Sequence, residues 1–483
     1  MKRGSFLLYG LSPIAGHDGE NSSSLTATNA WSRKSRAVPR GLRPSSLSVL
    51  LFVASWLCIA APLASQAQED ILPGKDGPLP GAGSMNFTQS VRVALRESPN
   101  LTGSSLEIDL RRLDEADARF AFIPSFSLRT LYYLNQPENE SDRPYSIHFV
   151  TETYNPIENY FSLQARKVLT QMGILAHLQV ISDFLERLGM GFLELDALDH
   201  MMALQREIEG VAEQSLAFAR TRLESGGVSG LDVQLAEREL ELARLETTRL
   251  ESARATILDG LCGMMGLGAE TATRLNWEAA REQVLGPFDP DGVSLDEARG
   301  NSFELRIQML KRELQEKNVT LAYTRFLPTF VWGVQTTDPF SANDERGLFF
   351  SVGLELPIWD GLKRYHNVSR QKTILRQVEA EGKSKGLGFD GKWSAARRKL
   401  EQSAAGLKLA RSQESLAELK ERQTAISYNA GRQPLNALAA DRRALLESRK
   451  NRLSQALEHD KAALVIRNLT GDLVRKYVDT SPY

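Results

Sequence analysis

The side chains best equipped for chemistry are few and scattered. Histidines stand only at His17, His148, His177, His200, His366 and His459. No two share the spacing of one helical metal site, and no zinc-protease motif occurs. Cys262 has no histidine near it in sequence. It lies beside Met264 and Met265, which are surroundings of a core thiol. No phosphate-cradling glycine loop and no G-x-S-x-G elbow is present. Carboxylates are plentiful, but they alternate with basic neighbours in helical patterns, the mark of a solvated face. The sequence nominates no catalytic residue, no metal site and no cofactor, and it reads as a non-enzyme. Asp232 lies just after the turn at Gly226 and Gly227. There it suits an N-terminal helix cap.

What must position such residues is a chain written twice. Phe122-Ile123-Pro124-Ser125-Phe126 matches Phe326-Leu327-Pro328-Thr329-Phe330, a shift of 204. The same shift aligns Ser98 and Leu101 with Ser302 and Leu305, and Gly227, Leu231, Asp232 and Ala236 with Gly431, Leu435, Asn436 and Ala440. Met265-Gly266 matches Thr470-Gly471 one residue further on. Each half reads as a short helix (Thr88 to Ala121; Ser294 to Arg325), a proline-marked junction, strands, a very long helix, a glycine turn and a second helix. No proline interrupts Leu169 to Gly226 or Gly361 to Gly431. At 1.5 Å per residue those stretches reach roughly 80 and 100 Å. Leu446, Leu453, Leu457 and Leu464 form a seam-like stripe, and Leu235, Leu242 and Leu245 begin another. Gly382, Gly386, Gly388 and Gly391 predict a kink or break in the third long stretch.

The strands alternate. Leu348, Phe350, Val352, Leu354 and Leu356 share one face, and so do Phe330, Trp332 and Val334. In the first half Phe126, Leu128, Thr130 and Tyr132 alternate, as do Phe161, Leu163 and Ala165; Tyr145 to Tyr154 alternates weakly. The pattern fits a barrel wall, apolar outside and polar inside. A soluble half-buried sheet alternates identically.

The N-terminus reads as an export signal. Arg33, Lys34, Arg36, Arg40 and Arg43 precede an apolar run from Ser48 to Leu63, and Ser65-Gln66-Ala67 supplies small residues for cleavage. The run is short for a membrane anchor, which needs about 20 residues. The long stretch before Arg33 places the true start downstream of Met1. After residue 68 no window of 18 apolar residues is expected, so a membrane crossing would have to use strands of a closed barrel. Fifty-nine basic and 60 acidic residues leave a net charge of −1, which disfavours nucleic acid as partner. Export and long helices admit two readings: an outer-membrane channel, or a soluble periplasmic scaffold of coiled helices with a small sheet. Four strands cannot close a barrel, so on the first reading several copies pool them, and three would give about twelve.

Three local signatures resemble the TolC family of outer-membrane factors, the outer membrane efflux proteins. The first is Leu356-Pro357-Ile358-Trp359-Asp360-Gly361, similar to the family's strand-to-helix junction. The second is the pair of hairpin tips: Arg222-Leu223-Glu224-Ser225-Gly226 with Ser229 and Asp232, and Tyr428-Asn429-Ala430-Gly431 with Pro434 and Asn436. The third is the pair Pro124 and Pro328 opening the strands. The resemblance covers residues 86 to 475.

It implies a mostly α fold with a small transmembrane β portion: a duplicated half-molecule whose long hairpins form a tunnel, with four strands per protomer in a trimeric twelve-stranded barrel. It implies a leader over 1–67, repeats over 86–280 and 290–475, and a tail over 476–483. Function would be a passive outer-membrane exit duct of a tripartite efflux pump or type I secretion system, working with a periplasmic adaptor and an inner-membrane transporter. Arg222, Gly226, Ser229, Tyr428, Gly431 and Pro434 would dock the adaptor; these residues equally suit plain turns. Asp232 and Asn436 would line the constriction. Pro124, Pro328, Pro357 and Gly361 would shape the strand–helix junctions.

Overall fold

The structure, a computed structural model, describes residues 84–123, 126–132, 145–151, 155–336, 348–356 and 358–478, all within the unit Leu72–Tyr483. The expected leader, Pro124, Pro357 and the last residues of the tail lie outside the described residues.

In chain order the elements are α1 (Phe87–Glu97), α2 (Pro99–Phe120), β1 (Phe126–Tyr132), β2 (Tyr145–Thr151), α3 (Pro156–Glu224) and α4 (Gly230–Met265). A linker follows, with a 3-10 turn (Ala269–Arg274) and α5 (Ala280–Leu285). Then come α6 (Leu295–Asn301), α7 (Phe303–Thr324), β3 (Thr329–Thr336), β4 (Leu348–Glu355), α8 (Lys363–Asn429), α9 (Leu435–Leu469) and α10 (Asp472–Arg475). The described residues are mostly helical, with two strand hairpins among them.

Each expected short helix is a pair. Pro99 drives Ser98 out of the helical region (φ −66°, ψ 120°), because proline restricts the residue before it. The Ser98 hydroxyl then donates to the Met264 carbonyl at 2.9 Å, pinning the break to the end of α4. Ser302 breaks α6 from α7 with nearly the same backbone angles (φ −67°, ψ 118°).

The expected strand Phe161 to Arg166 is helical instead. Asn155 accepts hydrogen bonds from the backbone N–H of Ile157 and Glu158, both at 3.2 Å. Pro156 occupies the first helical position, where its missing N–H is harmless. The helix therefore starts before the alternating run, and β1 pairs antiparallel with β2. In the second hairpin Phe330 stands opposite Leu354 and Trp332 opposite Val352, so the expected apolar alternation is in register. The glycine run in α8 does not break the helix: 67 residues continue through it. Phe389 and Trp393 are buried there among Ala298, Leu400 and Ile466, and this packing outweighs about 1 kcal/mol per glycine.

α3, with 69 residues, and α8 are each about 100 Å long. Near the turns the helices lie side by side in the order α4, α3, α9, α8; towards the strands the order is α2, α3, α7, α8. The strands follow suit, with β2 beside β3. One edge of the strip is thus β1, α2 and α4, and the other is β4 and α8. Halfway along, α1, α5, α10 and the linker pack on α3 in the main core, around Phe87, Leu185, Leu188, Phe192, Leu464 and Leu473. One stretch of α3 is apolar enough over 18 residues to pass as a membrane span by length and composition, contrary to expectation. Half of it is buried inside the protein, as in the core helix of a soluble protein.

Candidate functional site

The two turns joining the long helices share one construction. At the first, Gly226 takes φ 74°, and its N–H donates to Leu223 O at 3.0 Å while Gly227 N–H donates to Arg222 O at 2.8 Å. At the second, Gly431 takes φ 70°, donating to Tyr428 O at 2.9 Å, and Arg432 N–H donates to Ser427 O at 2.9 Å. Both are Schellman endings, which need a left-handed residue that glycine supplies without strain. Ser229 and Pro434 are the caps of the following helices. The conformational match of Gly226 with Gly431 and Ser229 with Pro434 gives a shift of 205, not 204. Asp232 therefore corresponds to Ala437, and Asn436 stands level with Leu231.

The tips differ electrostatically. Asp232 closes a capping box: its carboxylate accepts from the Ser229 N–H and Oγ–H, both at 2.8 Å. Those bonds, led by the backbone one, hold its carboxyl below the ordinary value although it is fully exposed. Pro434 offers no side-chain acceptor, and Asn436 is an exposed residue in the first turn of α9. Arg222 is exposed, its guanidinium 5.4 Å from the Phe218 ring, and Tyr428 is partly exposed. Behind the tips, Thr424 donates to Asp441 at 2.5 Å, and Arg220 pairs with Glu237 at 2.8 Å. Arg443 reaches Glu239 at 3.6 Å across the two hairpins. Deeper in, Lys450 donates to Gln205 at 2.7 Å, and Gln205 in turn donates to Ala243 O at 3.0 Å.

At the other end Pro328 is exposed and immediately precedes β3. Gly361 (φ 66°) and Leu362 (φ 64°) turn the chain from β4 into α8, and Asp360 accepts from Arg364 N–H at 3.1 Å. Ile358 and Trp359 are 92% and 79% exposed and follow the exposed Val352, Leu354 and Leu356 in the chain. Their sequence motif marked the junction but not this surface.

Sequence reasoning also passed over the middle of the molecule. Arg467 is buried; it donates to Asp472 at 2.8 Å and to the carbonyls of Val284 at 2.6 Å and Leu285 at 2.8 Å. Asp460 lies 3.0 Å from Arg281, and burial nevertheless pushes its carboxyl up. Cys262 is buried, and burial raises its thiol. Among the described residues, no cluster of three or more His, Cys, Asp or Glu could hold a metal ion.

A strip of four long helices, ended by strand hairpins at one end and two tight tips at the other, is the class of fold found in outer-membrane channels. Residues 91–267 match the family described as outer membrane efflux protein. Protein CyaE of Bordetella pertussis is 23% identical over 311 residues, 60% of this chain; the chain spans 64% of that relative's length. The Campylobacter jejuni CmeC outer membrane channel superposes with a TM-score of 0.67 at 14% identity, covering 83% of this chain and 91% of that one. The outer membrane protein VceC from Vibrio cholerae gives 0.66 at 11% identity, with 80% and 96% covered. The open state of the Neisseria gonorrhoeae MtrE outer membrane channel gives 0.64 at 13% identity, with 80% and 88% covered. Local sequence and fold agree: the chain is similar to the TolC-like outer-membrane factors.

Proposed function

We propose that the protein is an outer-membrane exit duct, the passive outer component of a tripartite efflux pump or type I secretion system. The family and the channels it resembles are outer-membrane proteins, and this chain's location is the same. The observation that carries the reading is the exposed apolar run of Val352 and Leu354 on β4 and of Leu356, Ile358 and Trp359 just beyond it. A protein whose strands meet water has no use for such a face; one whose strands meet lipid requires it. Among the described residues two strand hairpins leave β1 and β4 with free edges, which the hydrocarbon forbids, so copies must pool strands. Three copies give twelve strands, an even and open barrel. The helix strips then continue the barrel wall as a tunnel into the periplasm.

Residues 1–67 are the leader, 86–280 and 290–475 the two repeats, and 476–483 a tail. The tips, through Arg222, Gly226, Ser229, Tyr428, Gly431 and Pro434, face the periplasm and dock an adaptor that leads to an inner-membrane transporter. Asp232 supplies the charge at the constriction; Asn436, one position off its counterpart, contributes polarity alone. The energy for transport comes from the inner-membrane partner. The test is fractionation of cells expressing the full chain. A duct floats with outer membranes, needs detergent for extraction and weighs three chains by native mass spectrometry. Release by osmotic shock as a stable monomer points instead to a soluble periplasmic scaffold.

A further inference from the structure

Beside the linker, the first long hairpin holds a cavity that neither the tips nor the strands use. It measures about 550 Å³ and is lined by Asp199, Met202 and Arg206 of α3 and by Glu251 and Arg254 of α4. That is the volume of a small-molecule site. The first three residues stand at spacings of 3 and 4 and share one face of α3; Glu251 and Arg254, three apart, share one face of α4. Met202 is buried and supplies an apolar wall. Arg206 lies 18 residues before Glu224, the end of α3, so the cavity is about 27 Å from the first tip.

One end of the cavity is rigid. Asp199 accepts from Arg254 Nε at 2.8 Å with one carboxylate oxygen and from the Trp277 indole N–H at 2.7 Å with the other. The Arg254 guanidinium lies over the same indole, 4.9 Å from the ring centre. Both Asp199 oxygens are engaged, while Nη1 and Nη2 of Arg254 make no hydrogen bond among the described residues. Arg244, on the same helix, instead spends Nε on Glu209 and Nη2 on Glu213. A guanidinium stacked on an aromatic ring and fixed through Nε presents its outer nitrogens as a fork, which takes a carboxylate in two parallel bonds.

The other charged walls are idle. Arg206 and Glu251 are exposed and, among the described residues, have neither an ion pair nor a hydrogen bond. α3 and α4 run antiparallel, with Asp199 beside Arg254 and Glu209 beside Arg244. Glu251 therefore stands level with Met202, between the two arginines. It lies about 4.5 Å along the helix axis from Arg254 and about 6 Å from Arg206. The uncommitted charges read cation, anion, cation over about 10 Å, the length of three extended residues.

We propose that this cavity binds a short acidic peptide with a free amino end. The terminal carboxylate sits on the Arg254 fork, the ammonium group on Glu251, and the side-chain carboxylate of an acidic first residue on Arg206. Two carboxylates and one ammonium group match two cations and one anion. The inference goes beyond the exit duct, since the cavity lies within one protomer and away from both the strands and the tips. Because Trp277 belongs to the linker, peptide bound at Arg254 is felt there.

The test uses the full-length protein in detergent, labelled with 5-fluorotryptophan; Trp277→Phe assigns the resonance that reports the cavity. The probe is the tripeptide Glu-Ala-Ala, which should shift that resonance saturably with a midpoint below about 10 mM. Arg206→Gln and Glu251→Gln change exposed side chains without partners, so the fold is kept. Glu251→Gln should raise the midpoint about tenfold for Glu-Ala-Ala and leave unchanged that of N-acetyl-Glu-Ala-Ala, which lacks the ammonium group. Arg206→Gln should weaken Glu-Ala-Ala to a similar degree and leave Ala-Ala-Ala unchanged. A resonance that stays still at about 100 mM tripeptide overturns the proposal, and so do variants that weaken every probe alike. Free glutamate binding as tightly as the tripeptide overturns the peptide assignment. Conductance in planar bilayers reads the duct independently, so either reading can fail while the other stands.

Discussion

Arg467 is expected to hold the linker between the two repeats against the helix strip, and Arg467→Met measures how strongly. The side chain is 5% exposed, and three acceptors surround it. Hydrogen bonds from a charged donor contribute about 1.5–3 kcal/mol each. Asp472, however, is 44% exposed and rehydrates when its partner leaves, so its share is at most about 1 kcal/mol. The Val284 and Leu285 carbonyls end the short helix α5 and lose their capping cation. Methionine fills the space and returns about 1 kcal/mol of apolar burial against Phe288. The net loss is about 2–6 kcal/mol, confined to the linker. The Gly286 and Phe288 N–H groups, bonded to Glu282 O at 2.9 Å and Leu285 O at 3.3 Å, report it directly. Hydrogen exchange there should accelerate at least about 30-fold, at roughly tenfold per 1.4 kcal/mol. Asp472→Asn should accelerate it less than about fivefold. If Arg467→Met leaves both amides within threefold of the unaltered protein, the clamp is not what orders the linker.

Five other outcomes follow from the tips, the junction and the α2–α3 contact. Ser229→Ala should cost about 1 kcal/mol at the start of α4 and raise amide exchange over 230–234, with no change at the start of α9. Because the Asp232 carboxyl is depressed in the folded state, its cap is complete above the ordinary carboxylate range and is lost as pH falls through the folded value. Acidification should therefore loosen the first tip before the second, which has no such carboxylate; simultaneous loosening would refute it. Asp232→Ala should reduce cation selectivity in planar bilayers, and unchanged selectivity removes Asp232 from the constriction. Trp359 should sit at the lipid interface, so lipids brominated near the headgroup should quench a fluorescence component that Trp359→Phe abolishes. His177 is buried with its Nδ1 2.7 Å from the Ser104 hydroxyl, and burial lowers its pKa. The α2–α3 contact should accordingly be intact above the ordinary histidine value and weaken as pH drops through the lowered one, seen as faster exchange in α2.

Much of the fold was legible because its punctuation is local. Gly226 and Gly431 mark turns that need a left-handed residue, and the proline-free stretches leading up to each of them read as long helices. Where the reading slipped, a second local signal competed. Gly226 and Gly227 are adjacent, so matching letters paired Gly431 with the wrong one. The backbone angles correct this, and they move the counterpart of Asp232 from Asn436 to Ala437. Phe161, Leu163 and Ala165 alternate by chance within a helix, and the Asn155-Pro156 cap was the stronger signal. Ser98 and Ser302 were recognised as equivalent, but their role as helix breaks depends on Pro99 and on a carbonyl 166 residues away. The seams divide in the same way. Leu446 and Leu464 found partners inside the protomer, whereas Leu235, Leu242 and Leu245 did not. A stripe declares that a partner exists, not which chain supplies it. Arg467 left no sequence signal, because its acceptors are backbone atoms of a distant segment.

The most direct test of the duct is electrical. Protein extracted from outer membranes in detergent and reconstituted into a planar bilayer should produce uniform conductance steps, which Asp232→Ala alters in selectivity without abolishing. A water-soluble protein that leaves the bilayer silent at every concentration would contradict the account.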